Sequence, residues 1–152
     1  MKSSEADLGF PVLGFTPDRE NWGFPDLDRL TRCGPRTLKE HMQDGMELID
    51  SNGRRWRVLT IRRTGRAGSV LSLLPGLGPP QSRIEQELEE LPGASLAEVQ
   101  QKMRESLETF RADHMGFDGD EAEFSSLLEK VGQTRSIAEI YKLLQPDTFE
   151  PY

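Results

Sequence analysis

The hydrophobic pattern of this chain changes character near Pro80 and divides it into two parts. From Met46 to Ile61 the sequence MELIDSNGRRWRVLTI holds two strand-like runs around Asn52-Gly53. Asn-Gly accepts the positive φ angles of a type I′ turn, whose twist matches that of the flanking strands. The pattern predicts a β-hairpin that pairs Ile49 with Trp56 and Glu47 with Val58 on one face. On the other face it pairs Asp50 with Arg55 and Met46 with Leu59, so opposite charges and apolar partners meet across the strands. Thr64 to Gly68 reads as a turn, and Ser69 to Leu74 as a third, central strand. Pro75-Gly-Leu-Gly-Pro-Pro80 is a breaker-rich connection.

Beyond it the spacing becomes helical. In residues 83–91, RIEQELEEL, Ile84, Leu88 and Leu91 suit a helix, and the glutamates favour one; a solvated edge strand is the alternative. Ser95-Leu-Ala-Glu98 is a capping box, in which serine and glutamate satisfy each other's free backbone N–H groups. Its helix is expected to run to about Met115 and to bury Leu96, Val99, Met103, Leu107 and Phe110. Asp118 or Asp120 caps a second helix that buries Phe124, Leu127, Leu128 and Val131. A further box, Ser136-Ile-Ala-Glu139, opens a third, with Ile137, Ile140, Tyr141 and Leu144 inward and Pro146 as its stop. The tail to Tyr152 reads as an extended strap.

Two segments precede the hairpin. Phe10 to Phe15, with Trp22, is apolar enough to pack as an arm or a short edge strand, but Pro11, Pro17 and Pro25 oppose a long regular element. Gly34-Pro35 through Asp44-Gly45 reads as a short helix, with proline at the first turn, glycine past the end, and Leu38 and Met42 inward. The expected fold is α+β in one domain over 1–152. An irregular arm (1–25) leads into a mainly sheet part (26–80), a small antiparallel sheet with the hairpin. Three or four helices of a mainly helical part (81–152) cover it.

Charge sharpens the division. The chain of 152 residues has a net charge of −7, yet residues 1–80 carry 12 basic and 10 acidic side chains and residues 81–152 carry 7 and 16. Six arginines, 54, 55, 57, 62, 63 and 66, crowd thirteen residues. Such a strip can grip phosphates, but aromatics are not interleaved with it, Trp56 excepted, and the acidic whole lacks the net basic footprint of a nucleic-acid binder. Covering a solvated sheet face, or pairing with the acidic half, explains the arginines more simply. No run of about 18 apolar residues predicts a membrane span, and no apolar stretch after Met1–Asp7 resembles a secretory signal. One cysteine suits a reducing cytosol.

Catalytic and metal-binding patterns are sparse. Cys33, His41 and His114 are the only thiol and imidazole groups, and none lies in a zinc-ligand spacing. The acidic stretch Asp113–Glu123 lacks the ligand periodicity and terminal glutamate of an EF-hand, and reads as helix capping. Gly65–Ser69 lacks the P-loop lysine, and Gly76-Leu-Gly78 lacks the third glycine of a dinucleotide loop. Cys33, before Gly34-Pro35, is expected to be a small buried residue rather than a nucleophile. The glutamates 85, 87, 89 and 90 read as a solvated face rather than an acid–base pair. The expectation is a protein without enzymatic activity, cofactor or metal.

Binding is then the natural activity. Glu85, Glu87, Asp118, Asp120, Glu121 and Glu123 are the candidate partner-binding residues, because an acidic field speeds association with a basic partner. The same charge also serves solubility. The stretch Asp26-Leu-Asp-Arg-Leu-Thr-Arg-Cys-Gly-Pro-Arg-Thr-Leu-Lys39, followed by Gly45-Met-Glu-Leu-Ile-Asp-Ser-Asn-Gly-Arg-Arg-Trp-Arg-Val58, resembles small bacterial immunity proteins of polymorphic toxin systems. In these a "Leu-Thr-x-Cys" segment and short helix precede a hairpin with an Asp-Ser-x-Gly turn. The resemblance covers about residues 26–60 and carries fold-forming turns rather than chemistry. It implies a cytosolic protein that binds and neutralises a cognate toxin, and the leading expectation is that it does so by occluding the toxin's active site. A nuclease, with its positive substrate groove, is one target type that an acidic inhibitor would suit. It transfers no binding residue. The alternative is a cytosolic regulatory or housekeeping interaction domain with no toxin partner.

Overall fold

A computed structural model describes residues 1–67, 81–111 and 121–145. The fold is α+β, built on a six-stranded sheet. Its strands are β1 (Val12–Phe15), β2 (Asn21–Phe24), β3 (Arg32–Cys33), β4 (Glu47–Ile49), β5 (Arg55–Arg66) and β6 (Ser82–Leu91), in the spatial order β2-β1-β4-β5-β6-β3. All its pairings are antiparallel. The helices are α1 (Leu27–Leu30), α2 (Pro35–Lys39), α3 (Leu96–Thr109), α4 (Glu121–Gln133) and α5 (Ile137–Leu144). The expected strand Ser69–Leu74, the strap after Pro146, and the caps Asp118 and Asp120 lie outside the described residues.

Within the expected irregular arm of residues 1–25, residues 12–15 and 21–24 are strands of the sheet. The prolines bound the strands instead of forbidding them: Pro11 precedes β1, Pro17 lies between β1 and β2, and Pro25 follows β2. β1 is an interior strand, paired with β2 on one side and β4 on the other. All four of its residues are buried, so its apolar run does not alternate. Val12 and Leu48 enter one buried cluster, with Phe24, Leu30, Met46, Trp56, Val58 and Leu88. Their sequence neighbours Leu13 and Ile49 point the other way, as successive strand residues must. With Phe15, they share a second cluster with Val99, Met103 and Leu107 of α3, Phe124 and Val131 of α4, and Ile137 and Ile140 of α5.

The β4–β5 connection falls where Asn52-Gly53 was expected to turn, but the register differs by one residue. Ile49 faces Arg55, Leu48 faces Trp56, and Glu47 faces Arg57. The loop is Ser51-Asn52-Gly53, closed by an Asp50 N–H to Arg54 carbonyl bond of 3.0 Å. Asp50 Oδ1 accepts the N–H groups of Asn52 and Arg54, each at 2.9 Å. This side-chain turn selects a three-residue loop with Gly53 at φ +81° over the two-residue type I′ turn. A one-residue slip exchanges faces, which places Leu48 and Trp56 in one cluster and Ile49 in the other.

Residues 83–91 are strand, not helix. β6 runs antiparallel to β5 over most of its length, and it is not a solvated edge. On its far side β3 pairs with Ser82 and Arg83. Further along, the N-terminal residues take over: Ser3 N–H donates to the Gln86 carbonyl at 2.9 Å, and Leu88 N–H donates to the Met1 carbonyl. Local helix propensity yields here to long-range pairing with an arginine-rich partner strand, a context effect that routinely overrides propensity.

The serine half of each capping box is seen directly, whereas the Glu139 carboxylate accepts from Arg135 N–H at 2.8 Å and that of Glu98 lies 3.7 Å from Arg55. Ser95 Oγ accepts from Glu98 N–H at 3.2 Å, and Ser136 Oγ accepts from Glu139 N–H at 3.1 Å. α3 stops at Thr109 rather than near Met115, with Phe110 as its cap residue.

Candidate functional site

The acidic candidates are distributed over two elements. Glu85 and Glu87 are on β6, and Glu121 and Glu123 are in the first turn of α4. Asp118 and Asp120 lie outside the described residues. The β6 pair faces cations of the chain itself. Glu85 lies 3.7 Å from both the Lys2 ammonium and the Arg62 guanidinium. Glu87 accepts a 2.8 Å hydrogen bond from the N-terminal ammonium. That bond and charge, with smaller contributions from Lys2 and Arg62, hold the Glu87 carboxyl below its ordinary pKa. Glu121, by contrast, keeps 79% of its side chain exposed while Arg111 donates to it at 2.7 Å. Glu123 is likewise exposed.

The arginine cluster divides by what it meets. Arg54 reaches Glu90 at 3.4 Å and stacks 4.8 Å over the Trp56 ring. Arg55 lies between Glu47 at 3.9 Å and Glu98 at 3.7 Å, and its Nε donates to the Pro92 carbonyl. With Lys102 placed 3.1 Å from Glu47, these charges tie β4 and β5 to α3. Pairing with the acidic half is thus observed for Arg54, Arg55 and Arg62. Arg63 and Arg66 differ. Among the described residues neither meets a carboxylate, and with Lys39 of α2 they line a surface cleft.

The turn that carries the resemblance is structural. Asp50 is fully buried, and besides its two loop bonds its Oδ2 accepts from Gly9 N–H at 2.9 Å. Ser51 binds back to the same segment, through its N–H to the Gly9 carbonyl and its hydroxyl to the Pro11 carbonyl. A Cβ on Gly9 would stand 2.5 Å from the Asn52 amide nitrogen, so a side chain there would have to displace the Asn52 amide. On the opposite side, Ala94 N–H donates to the Gly53 carbonyl. Asp-Ser-Asn-Gly therefore joins β1's approach, the β4–β5 loop and the exit of β6. Asp26 has a similarly local role, accepting from Arg29 N–H at 2.8 Å as the cap of α1.

Cys33 is a buried free thiol on β3. Desolvation pushes its pKa up to about 11 against the smaller opposing effect of Arg29, so it stays protonated at neutral pH. His41 is exposed and lies 3.5 Å from the Asp44 carboxylate, while His114 is outside the described residues. Among the described residues no group of three or more His, Cys, Asp or Glu side chains is arranged to hold a metal, and no helix is long and apolar enough to cross a membrane.

Comparison of the chain with protein-family models, curated proteins and solved structures finds no match in any of the three.

Proposed function

We propose that this chain is a non-enzymatic immunity or inhibitor protein, which binds a basic toxin in the cytosol and neutralises it by occluding the active site. The observation that carries this reading is the exposed acidic first turn of α4, where Glu121 and Glu123 project from the helix start. Asp118 and Asp120 extend the same acidic stretch in sequence. An exposed ion pair contributes little, about 0–1 kcal/mol, so Arg111 leaves Glu121 available to a stronger cationic partner. Electrostatic complementarity of this kind raises the association rate and selects partners by sign. In this reading the helices lie over one face of the hairpin-bearing sheet and present the acidic turn outward. Glu85 contributes less, because it is largely buried and faces both Lys2 and Arg62. The resemblance of residues 26–60 to immunity proteins adds independent support. A nuclease is one toxin class whose positive substrate groove suits such a surface.

Co-expression with the product of the adjoining gene tests the proposal. The expected result is host survival, lost when this chain is omitted, and co-purification of the two proteins. A harmless neighbour, or toxicity without rescue, would instead favour a regulatory interaction domain with no toxin partner.

A further inference from the structure

Arg63 and Arg66 are three residues apart, a spacing that a regular strand would send to opposite faces. A register shift between Arg63 and Gly65 inserts Thr64 as an extra residue in β5. Such a bulge re-aims the side chains that follow it, and both guanidinium groups line one cleft of about 570 Å³. Lys39, the last residue of α2, adds a third cation, and Leu38 supplies an apolar wall. Among the described residues no carboxylate lines this cleft, although the chain has 26 acidic side chains. Arg63 Nε donates to Ser82 Oγ at 3.1 Å, which fixes the position of its guanidinium. A second observation is independent of charge. The side-chain Nε2 of Gln81, which also lines the cleft, is buried and has no acceptor among the described residues. A buried donor without a partner is unfavourable, and an acceptor-rich anion in the cleft would satisfy it.

We infer that this cleft binds the phosphoryl group of a small phosphorylated molecule, with Arg63, Arg66 and Lys39 neutralising its oxygens and Gln81 donating to it. Guanidinium groups match phosphate oxygens through paired N–H donors. The volume exceeds what a lone phosphate needs and falls within the range of small-molecule sites, about 300–1,000 Å³. Leu38 offers a surface for the remainder of such a ligand. The site is separate in residues from the acidic turn of α4 and does not depend on the inhibitor reading.

Calorimetric titration of the full chain with ADP and with inorganic phosphate tests the inference, with a single-stranded RNA oligomer as a third probe. Saturable one-to-one binding of ADP is expected, weakened about tenfold to a hundredfold in Arg63→Gln/Arg66→Gln, as loss of charged hydrogen bonds predicts. Lys39→Gln, on a different element, should weaken it as well, and Gln81→Leu should weaken it without lowering the melting temperature. ADP tighter than phosphate assigns the cleft to a larger phosphorylated molecule, and equal affinities assign it to the free anion. No saturation, or binding unchanged in both charge variants, would overturn the inference. Tighter binding of RNA than of ADP would overturn it too, because the cations would then belong to an open surface track.

Discussion

Glu85 on β6 and Glu121 on α4 belong to the same acidic half of the chain, but the fold surrounds them differently. Glu85 is 21% exposed and within 3.7 Å of two cations, Lys2 and Arg62, which arrive from distant parts of the sequence. Glu121 is 79% exposed and meets Arg111, ten residues away. Glu85 thus answers two cations where it is largely buried, whereas Glu121 answers one where it stands exposed. Charge counted along a sequence overstates the field a protein presents, because strand pairing cancels part of it before any partner arrives. The same comparison holds for cations: Arg54, Arg55 and Arg62 are matched, whereas Arg63 and Arg66 border a cleft that no carboxylate lines among the described residues.

The sharpest way to break this comparison is at the junction that sets the sheet register. Asp50→Ala leaves the N–H groups of Gly9, Asn52 and Arg54 without their carboxylate acceptor. Stability to urea should fall by about 3 kcal/mol, given about 1–3 kcal/mol for each buried donor left unmade, and Asp50→Asn should lose less. A smaller effect separates the two acidic regions. Glu85→Lys puts an ammonium beside Lys2 and Arg62 and should cost about 1 kcal/mol, near the upper end for exposed pairs. Glu121→Lys should change stability by less than that. Equal losses in the two variants would remove the distinction between matched and outward-facing carboxylates.

The smallest effect is a titration. The Glu87 carboxyl should titrate below its ordinary value of 4.5, because the N-terminal ammonium favours its charged form. Since its folded pKa is depressed, its contribution to stability is present above the unfolded pKa and disappears as pH falls through the folded one. Carboxyl chemical shifts followed by NMR would show the lowered midpoint, and acetylation of the α-amino group should move it back up. A midpoint at the ordinary value in the unmodified chain would mean that the N-terminus does not hold Glu87 in solution.

Sequence reading succeeded where the determinant was local. The two serine caps need only a serine and the N–H three residues later, and both form, without the reciprocal glutamate bonds of a full capping box. The position of the β4–β5 loop was visible in Asn52-Gly53. Its register was not, because it depends on the Asp50 side chain accepting from Asn52 and Arg54. Residues 83–91 misled for the opposite reason. Their glutamates favour helix in isolation, and nothing nearby reveals that β5 will align Arg57 with Glu89 and Arg62 with Glu85. At the N-terminus, prolines that read as obstacles turn out to be strand boundaries. The acidic candidates were found by counting charge, but their separation into matched and exposed sets depends on long-range contacts. The cleft escaped notice because Lys39 is distant in sequence from the arginines, and the bulge at Thr64 has no strong sequence signature.

The central claim is that an outward-facing acidic turn at the start of α4, rather than the matched carboxylates of β6, recruits a basic partner. Stopped-flow association with the co-purified toxin, at low and high salt, tests it most directly. Glu121→Lys/Glu123→Lys should slow association about tenfold at low salt and much less at high salt, as screening requires, while Glu85→Lys should leave the rate nearly unchanged. A rate that is insensitive to the α4 substitutions but falls with Glu85→Lys would contradict the account and move the interface to the sheet.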